Sequence, residues 1–232
     1  EGSAFELSVI AQTLAYCAES AADEDLRARA KDALARLAPL GTSAIGFGGR
    51  QGGRDSAEKG HRHFSPLFGV YPGRTVTRGS AEFSAAEKLF GYRLANSTPG
   101  IGWSAAWAMC LAGRFGDPAA AQRAFYGFTS RSVLPNFFGF HPPCYFQIDG
   151  NLGFVADINE TLVTNDDGVL TFLPALLSVL PSGRVRGLMS DGAALAFEWK
   201  DGKIVYARSE RTVSARRDNI AEDAVLENIG LV

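Results

Sequence analysis

The stretch GWSAAWAMCLAGRFGDPAAAQRAFYGF, Gly102 to Phe128, decides how the chain is read. Its first half, Gly102 to Arg114, is apolar nearly all round, the pattern of a helix buried on every side. Asp117-Pro118 follows. Aspartate offers an oxygen to the first free amides of a helix, and proline suits the first helical position. A second helix therefore runs to about Phe128. Working outward, helices recur in pairs. Apolar residues at Phe5, Ile10, Leu14 and Cys17 keep helical spacing. A helix from about Asp23 to Leu37 carries Leu26, Ala30, Ala33, Leu34 and Leu37 on one face, with Pro39 ending it. Together these two read as an αα-hairpin. Ser80 to Leu94 is helical through Phe83, Leu89, Phe90 and Leu94. Asn151 to Val163 closes the series, with Leu152, Val155, Ile158 and Leu162 expected to face inward.

Near Asn165-Asp166-Asp167-Gly168 the pattern changes. VLTFLPAL, AALAFEWK and KIVYARSE are short, β-rich and often alternating, and Asp201-Gly202 between the last two is a two-residue hairpin signal. The expected organisation is a helical portion over residues 1–164 and a small antiparallel β domain over 165–232, with a mainly α fold class.

Bulk properties exclude several classes. The chain has 232 residues, 46% hydrophobic and 21% charged, with a net charge of −2. That balance gives no footprint for nucleic acid or for an acidic membrane surface. No apolar run approaches the roughly 20 residues of a membrane span. The first residues, EGSAFELSVIAQ, lack the basic and apolar segments of a signal peptide, and the absence of an initial methionine suggests a piece of something longer. Cys17, Cys110 and Cys144 are odd in number and have no CxxC spacing, so they read as buried or incidental thiols.

The polar chemistry concentrates in two glycine- and proline-bounded segments. One is GTSAIGFGGRQGGRDSAEKGHRHFSPLFGVYPG, Gly41 to Gly73, long for a structureless connection and hence a functional or disordered one. The other is HPPCYFQIDGNLGF, His141 to Phe154. All three histidines, His61, His63 and His141, lie in them. An HxH pair with a distant third histidine lacks the spacing of a zinc site. Asp149 sits among apolar neighbours, where a carboxylate is costly unless hydrogen-bonded, paired or useful. One reading is a cap for the helix expected from Asn151; the other is catalysis. Trp103 and Trp107, four apart on an apolar helix, pack in a core by default. No GxSxG serine elbow or strand-borne GxGxxG occurs.

In order along the chain, GHRHFSPLFGVYPG, GWSAAWAMCLAGRFGD, HPPCYFQIDGNLGF, FLPALLSVLPSGRVRGL and FEWKDGKI resemble the C-terminal half of glycoside hydrolase family 95, the inverting α-L-fucosidases acting mainly on α-1,2-linked fucose. The resemblance covers about Phe5 to Ala207. It implies part of an (α/α)6 barrel followed by a β domain, a fucosylated oligosaccharide or glycan as ligand, no cofactor or metal, and a place outside the cell. It implies further that Asp149 belongs to the water-activating machinery. His63 would contact the fucose with Arg62 beside it, and Gln147 and Trp103 would lie near or line the pocket. Inversion needs an acid and a base side about 6.5–9.5 Å apart.

Departures accompany the likeness. The family's acidic glutamate and assisting asparagines lie upstream of the matched region. Pro66 stands where a further histidine is usual, GFGGRQGGRDSAEKG replaces a glutamate- and tryptophan-containing loop, and Cys144 and Tyr145 are inserted. Asp55, Glu58, Asp157 and Glu160 have no spacing that singles out a substitute acid and read as solvated charges. The chain is thus expected to be a fragment or a catalytically degenerate glycan-binding copy. About six helices cannot close a twelve-helix ring, so an open apolar face, and association with the N-terminal half of the barrel, are expected.

Overall fold

The computed structural model describes residues 2–47, 59–97, 101–141 and 145–232. Contacts group the chain into two compact units, residues 1–98 and 99–232.

In the first unit, helix α1 (Ala4–Ser20) opens with a capping box. The Ser3 hydroxyl accepts from the Glu6 amide at 3.2 Å, and the Glu6 carboxylate accepts from the Ser3 amide at 2.6 Å. Helix α2 (Glu24–Ala35) is capped by Asp23, which accepts from Leu26 N–H at 3.0 Å. The two helices pack as the expected hairpin. The buried face of α1 is not the stripe led by Phe5 and Ile10, which are exposed; it is Ala4, Leu7, Ser8 and Ala18, three of them small. Phe5 instead meets the edge of Phe68 at 5.5 Å. The long connection holds a minimal hairpin, β1 (Thr42–Ser43) and β2 (Gly46–Phe47), and a 3-10 turn at Ser65–Leu67. Helix α3 (Ala81–Asn96), capped by Ser80, buries Phe83, Leu89, Phe90 and Leu94 as its periodicity requires.

The second unit begins with α4 (Gly102–Phe115) and α5 (Pro118–Arg131). Asp117 caps α5 by accepting from Ala120 N–H at 2.9 Å, and Pro118 takes the first turn as the sequence indicates. Helix α6 (Ile148–Leu162) lies parallel to α4: Gly102 faces Gly150, Ala106 faces Gly153, and Gly113 faces Glu160. The approach is backbone to backbone. A Cβ on Gly113 would lie 2.4 Å from the Glu160 carbonyl oxygen. Phe128 of α5 stacks on Phe154 of α6 at 4.6 Å, closing the third side. At the far end Arg114 grips the Glu160 carboxylate, Nε to Oε2 at 2.7 Å, and donates to the Asn165 carbonyl at 3.2 Å. This mostly buried pair locks both helices to the start of the sheet.

Two expectations about α6 are corrected. The helix begins at Ile148 rather than Asn151. Its inward face is Gly150, Asp157, Thr161 and Leu162, whereas Leu152 and Val155 are 65% and 63% exposed. Close packing on α4 selects the glycine side and turns the larger apolar side chains outward.

The six-stranded sheet comprises β5 (Val163–Asp166), β6 (Val169–Phe172), β7 (Gly183–Ser190), β8 (Ala193–Lys200), β9 (Lys203–Ala215) and β10 (Ile220–Leu231). Strand order is β5-β6-β9-β8-β7, with β10 also on β9. The sheet is mixed, not antiparallel, because both β10 and the start of β6 run parallel to β9. Asp201 and Gly202, both at positive φ, make the β8–β9 turn the sequence announced. Alternate residues of β8, from Ala193 through Leu195 and Phe197 to Trp199, point into a core with Leu170, Phe172 and Ile204. Trp199 donates its indole N–H to the Leu180 carbonyl at 2.8 Å.

Glycine substitutions separate close packing from helix propensity. Gly113→Ala should destabilise by about 1–3 kcal/mol through overpacking. Gly91→Ala, on the open face of α3 with nothing near the new methyl, should stabilise by about 0.5–1 kcal/mol. Urea unfolding of both variants checks the pair; equal effects of one sign would contradict the α4–α6 contact.

Candidate active site

The FQIDGN segment joins β4 (Tyr145–Phe146) to α6, and β4 pairs with β3 (Phe140–His141). Each of its polar residues but one has a structural task. Gln147 occupies the cap position of α6 without capping it. Its side-chain Oε1 instead accepts from Trp103 N–H of α4 at 3.0 Å, so it caps the neighbouring helix. Its own N–H donates to the Gly139 carbonyl at 2.9 Å. Gly150 admits Gly102. Asn151 clamps the preceding loop: Oδ1 accepts from Gly139 N–H at 2.7 Å and Nδ2 donates to the Phe137 carbonyl at 2.8 Å. That clamp accompanies the left-handed φ of 65° at Phe137. A Cβ at position 139 would sit 2.8 Å from the Asn151 oxygen, which explains the glycine.

The remaining polar residue is Asp149. It is exposed, lies in the first turn of α6, and does not cap it. A carboxylate there faces the favourable end of the helix dipole. Trp103 is close in the same construction, through the amide that Gln147 holds. Of the fourteen residues of α4, twelve are buried; Trp103 and Trp107 are the two that reach the surface. Their rings lie 6.5 Å apart. The core-packing default for these tryptophans is therefore met only in part. The loop-and-helix end carrying Gln147, Asp149 and Trp103 is bordered by exposed Phe138 and Phe146, whose rings are 5.0 Å apart.

In the first unit, His61 and His63 stack at 4.8 Å with planes 16° apart. Arg62 between them is exposed. Burial, followed by the charges of His61, Arg62 and Arg93, pushes His63 below the usual histidine range. A neutral imidazole can both donate and accept a hydrogen bond. No motif points to Arg93, a buried arginine of α3 that donates to the carbonyls of His61 and His63. Arg93 lies 30 residues from His63, and only the fold joins them. His141 lies in β3, paired with Tyr145.

The four carboxylates read as solvated charges divide. Glu160 is held by Arg114. Asp157 has no exposed surface at all, and among the described residues neither carboxyl oxygen makes a hydrogen bond of normal geometry. Burial pushes its carboxyl up to about 9, opposed only by the Ile158 backbone amide. Neither is a solvated charge. Helix periodicity did not reveal this, because the face that packs on α4 is read from glycines and not from large apolar residues. Asp55, Glu58 and Cys144 lie outside the described residues. Cys110 is buried and Cys17 half-buried.

Residues 2–162 match the family model described as the glycosyl hydrolase family 95 catalytic domain. The chain is also similar to alpha-L-fucosidase 2 of Arabidopsis thaliana, 33% identical over 182 residues. That alignment takes in 70% of this chain and 21% of the plant protein, so the chain spans about a fifth of the relative's length.

Asp157 gives the unit a testable pH dependence. Folded, it keeps its proton to about pH 9; unfolded, it loses it near 3.8. The folded state thus holds a proton the unfolded state lacks, and stability falls as pH rises through that window, by at most about 1.4 kcal/mol per pH unit. Urea midpoints at pH 5 to 8 should fall for the native chain and stay nearly level for Asp157→Asn. Equal slopes for both proteins would refute the assignment.

Proposed function

Because the chain belongs to glycoside hydrolase family 95, we propose that it serves an inverting α-L-fucosidase-like hydrolysis of terminal α-1,2-linked L-fucose. In this reading it supplies the C-terminal part of the catalytic (α/α)6 barrel, over residues 1–164, and the following β domain, over residues 165–232. The observation that carries the reading is the division of labour in FQIDGN. Gln147, Gly150 and Asn151 are used up in holding backbone, and Asp149 is left exposed with no hydrogen bond or ion pair among the described residues. A carboxylate fixed by its neighbours but not consumed by them is suited to orient water for attack on the anomeric carbon.

His63, with Arg62 beside it, contacts sugar hydroxyls, the neutral imidazole offering one donor and one acceptor. Trp103 offers an aromatic face to the apolar side of the pyranose, and Gln147 keeps Trp103 in place. Such fixed polar partners favour the right sugar, because a wrong one leaves them unpaired. The acid that protonates the leaving oxygen belongs to the N-terminal half of the barrel. The outward stripe of α6, Ile148, Leu152 and Val155, is what that half covers.

A second reading is a catalytically degenerate homologue that binds fucosylated glycans without cleaving them. One observation favours it: the carboxylates nearest in sequence to Asp149 are unfit as acids, Asp157 being sealed and Glu160 ion-paired. Calorimetry showing fucose binding with no sugar released, in a chain joined to its N-terminal half, would select it.

With the barrel complete, Asp149→Asn should lower turnover of an α-1,2-fucosylated substrate by about 10²–10⁴-fold while fucose affinity changes little. Near-normal turnover would remove Asp149 from the mechanism. The chain by itself should self-associate through α6, and Leu152→Lys with Val155→Lys should shift sedimentation toward monomer. A native chain that is already monomeric at high concentration would contradict the covering of that face.

A further inference from the structure

We propose that Arg93 is the positioning residue of the His61-Arg62-His63 segment, setting the direction in which both imidazoles are presented. The fold gives the reason. Residues 60 to 64 lie along the last turns of α3 in opposite sense, meeting it at three-residue steps. Gly60 lies flush on the Asn96 carbonyl, where a Cβ would be only 2.3 Å from the oxygen. The carbonyls of His61 and His63 both accept from Nη1 of Arg93, the first at 3.4 Å. Phe64, itself buried, packs its ring 5.8 Å from that of Phe90.

Asn96, Arg93 and Phe90 share one helix face. The histidine segment is therefore indexed onto α3 in the manner of a strand laid along a ruler. The central mark is the guanidinium of Arg93, a residue 4% exposed. Buried backbone carbonyls need donors, and one guanidinium can serve two of them from a rigid, permanently charged fork. With alternate carbonyls tied, the side chains of His61 and His63 leave the backbone on the same side, as their stacking at 4.8 Å shows. Arg93 also places a fixed positive charge near His63, which opposes protonation of that ring.

The importance of this arrangement for sugar recognition rests on the proposed role of His63; the positioning itself does not. The chain has three histidines, so a carbon-detected histidine spectrum of the full chain contains three ring systems, with His141 as an internal reference. In Arg93→Gln the His61 and His63 ring resonances should move as their stacking is lost, while His141 stays. L-fucose should weaken in affinity by at least about tenfold, the scale of a lost charged hydrogen bond. Arg93→Lys, which keeps the charge but not the fork, should fall between.

Unmoved His61 and His63 resonances in Arg93→Gln would overturn the proposal. Moved resonances together with no response of the native chain to L-fucose would uphold the positioning and remove the sugar role of His63. If Arg93→Gln unfolds the first unit, seen as a loss of helical far-ultraviolet dichroism while His141 stays, Arg93→Lys decides by the same ring signals.

Discussion

The constraint on which the second unit depends is the contact of two parallel helices at backbone distance. A Cβ on Gly150 would lie 3.1 Å from Gly102 Cα, and one on Gly153 would lie 2.8 Å from the Ala106 methyl. No larger residue fits without pushing α4 and α6 apart. Because the helices are parallel, their N-terminal ends lie side by side. Four free amides open each helix. At α4 the Trp103 amide is satisfied by Gln147 Oε1, a side chain borrowed from the start of α6. The glycine contact thus fixes where Gln147, Asp149 and Trp103 stand relative to each other.

The same contact explains two features that composition alone would not. Glycines facing α4 leave the bulkier stripe of α6 outside, and Asp157, on the packed face, is sealed without a normal hydrogen bond. A buried ionised carboxylate would be very costly, so the group keeps its proton. Below it, Arg114 and Glu160 form an ion pair with Nη2 donating to Oε1 at 3.1 Å, the arrangement in which a buried charge is tolerated. One helix therefore carries an exposed carboxylate, a sealed neutral one and a paired one, and only the first is open to solvent chemistry.

Much of the fold is legible in local sequence, and the failures have a common cause. The Asp117-Pro118 cap, the all-round apolar α4, the stripe of α3 and the Asp201-Gly202 turn depend on neighbours within a few residues. Asp191-Gly192, with φ of 45° and 73°, makes the same kind of turn between β7 and β8. The inward face of α6 escapes local reading because apolar size marks a buried face only when helices pack through side chains. The parallel pairing of β10 on β9 is set by contacts that local alternation does not encode. The motifs single out Asp149 and His63, but not the residues that hold the segments around each. Arg93 and Asn151 act across 30 and 12–14 residues, on backbone carbonyls and amides that leave no trace in side-chain pattern.

The glycine contact and the cap it enables can be read at one atom, the backbone amide of Trp103. Its hydrogen-exchange rate in the native chain should be at least about tenfold slower than that of an unbonded helix-start amide, and Gly150→Val should return it to the fast rate. A Trp103 amide that exchanges fast in the native chain, or stays slow when Gly150 is enlarged, would contradict the account.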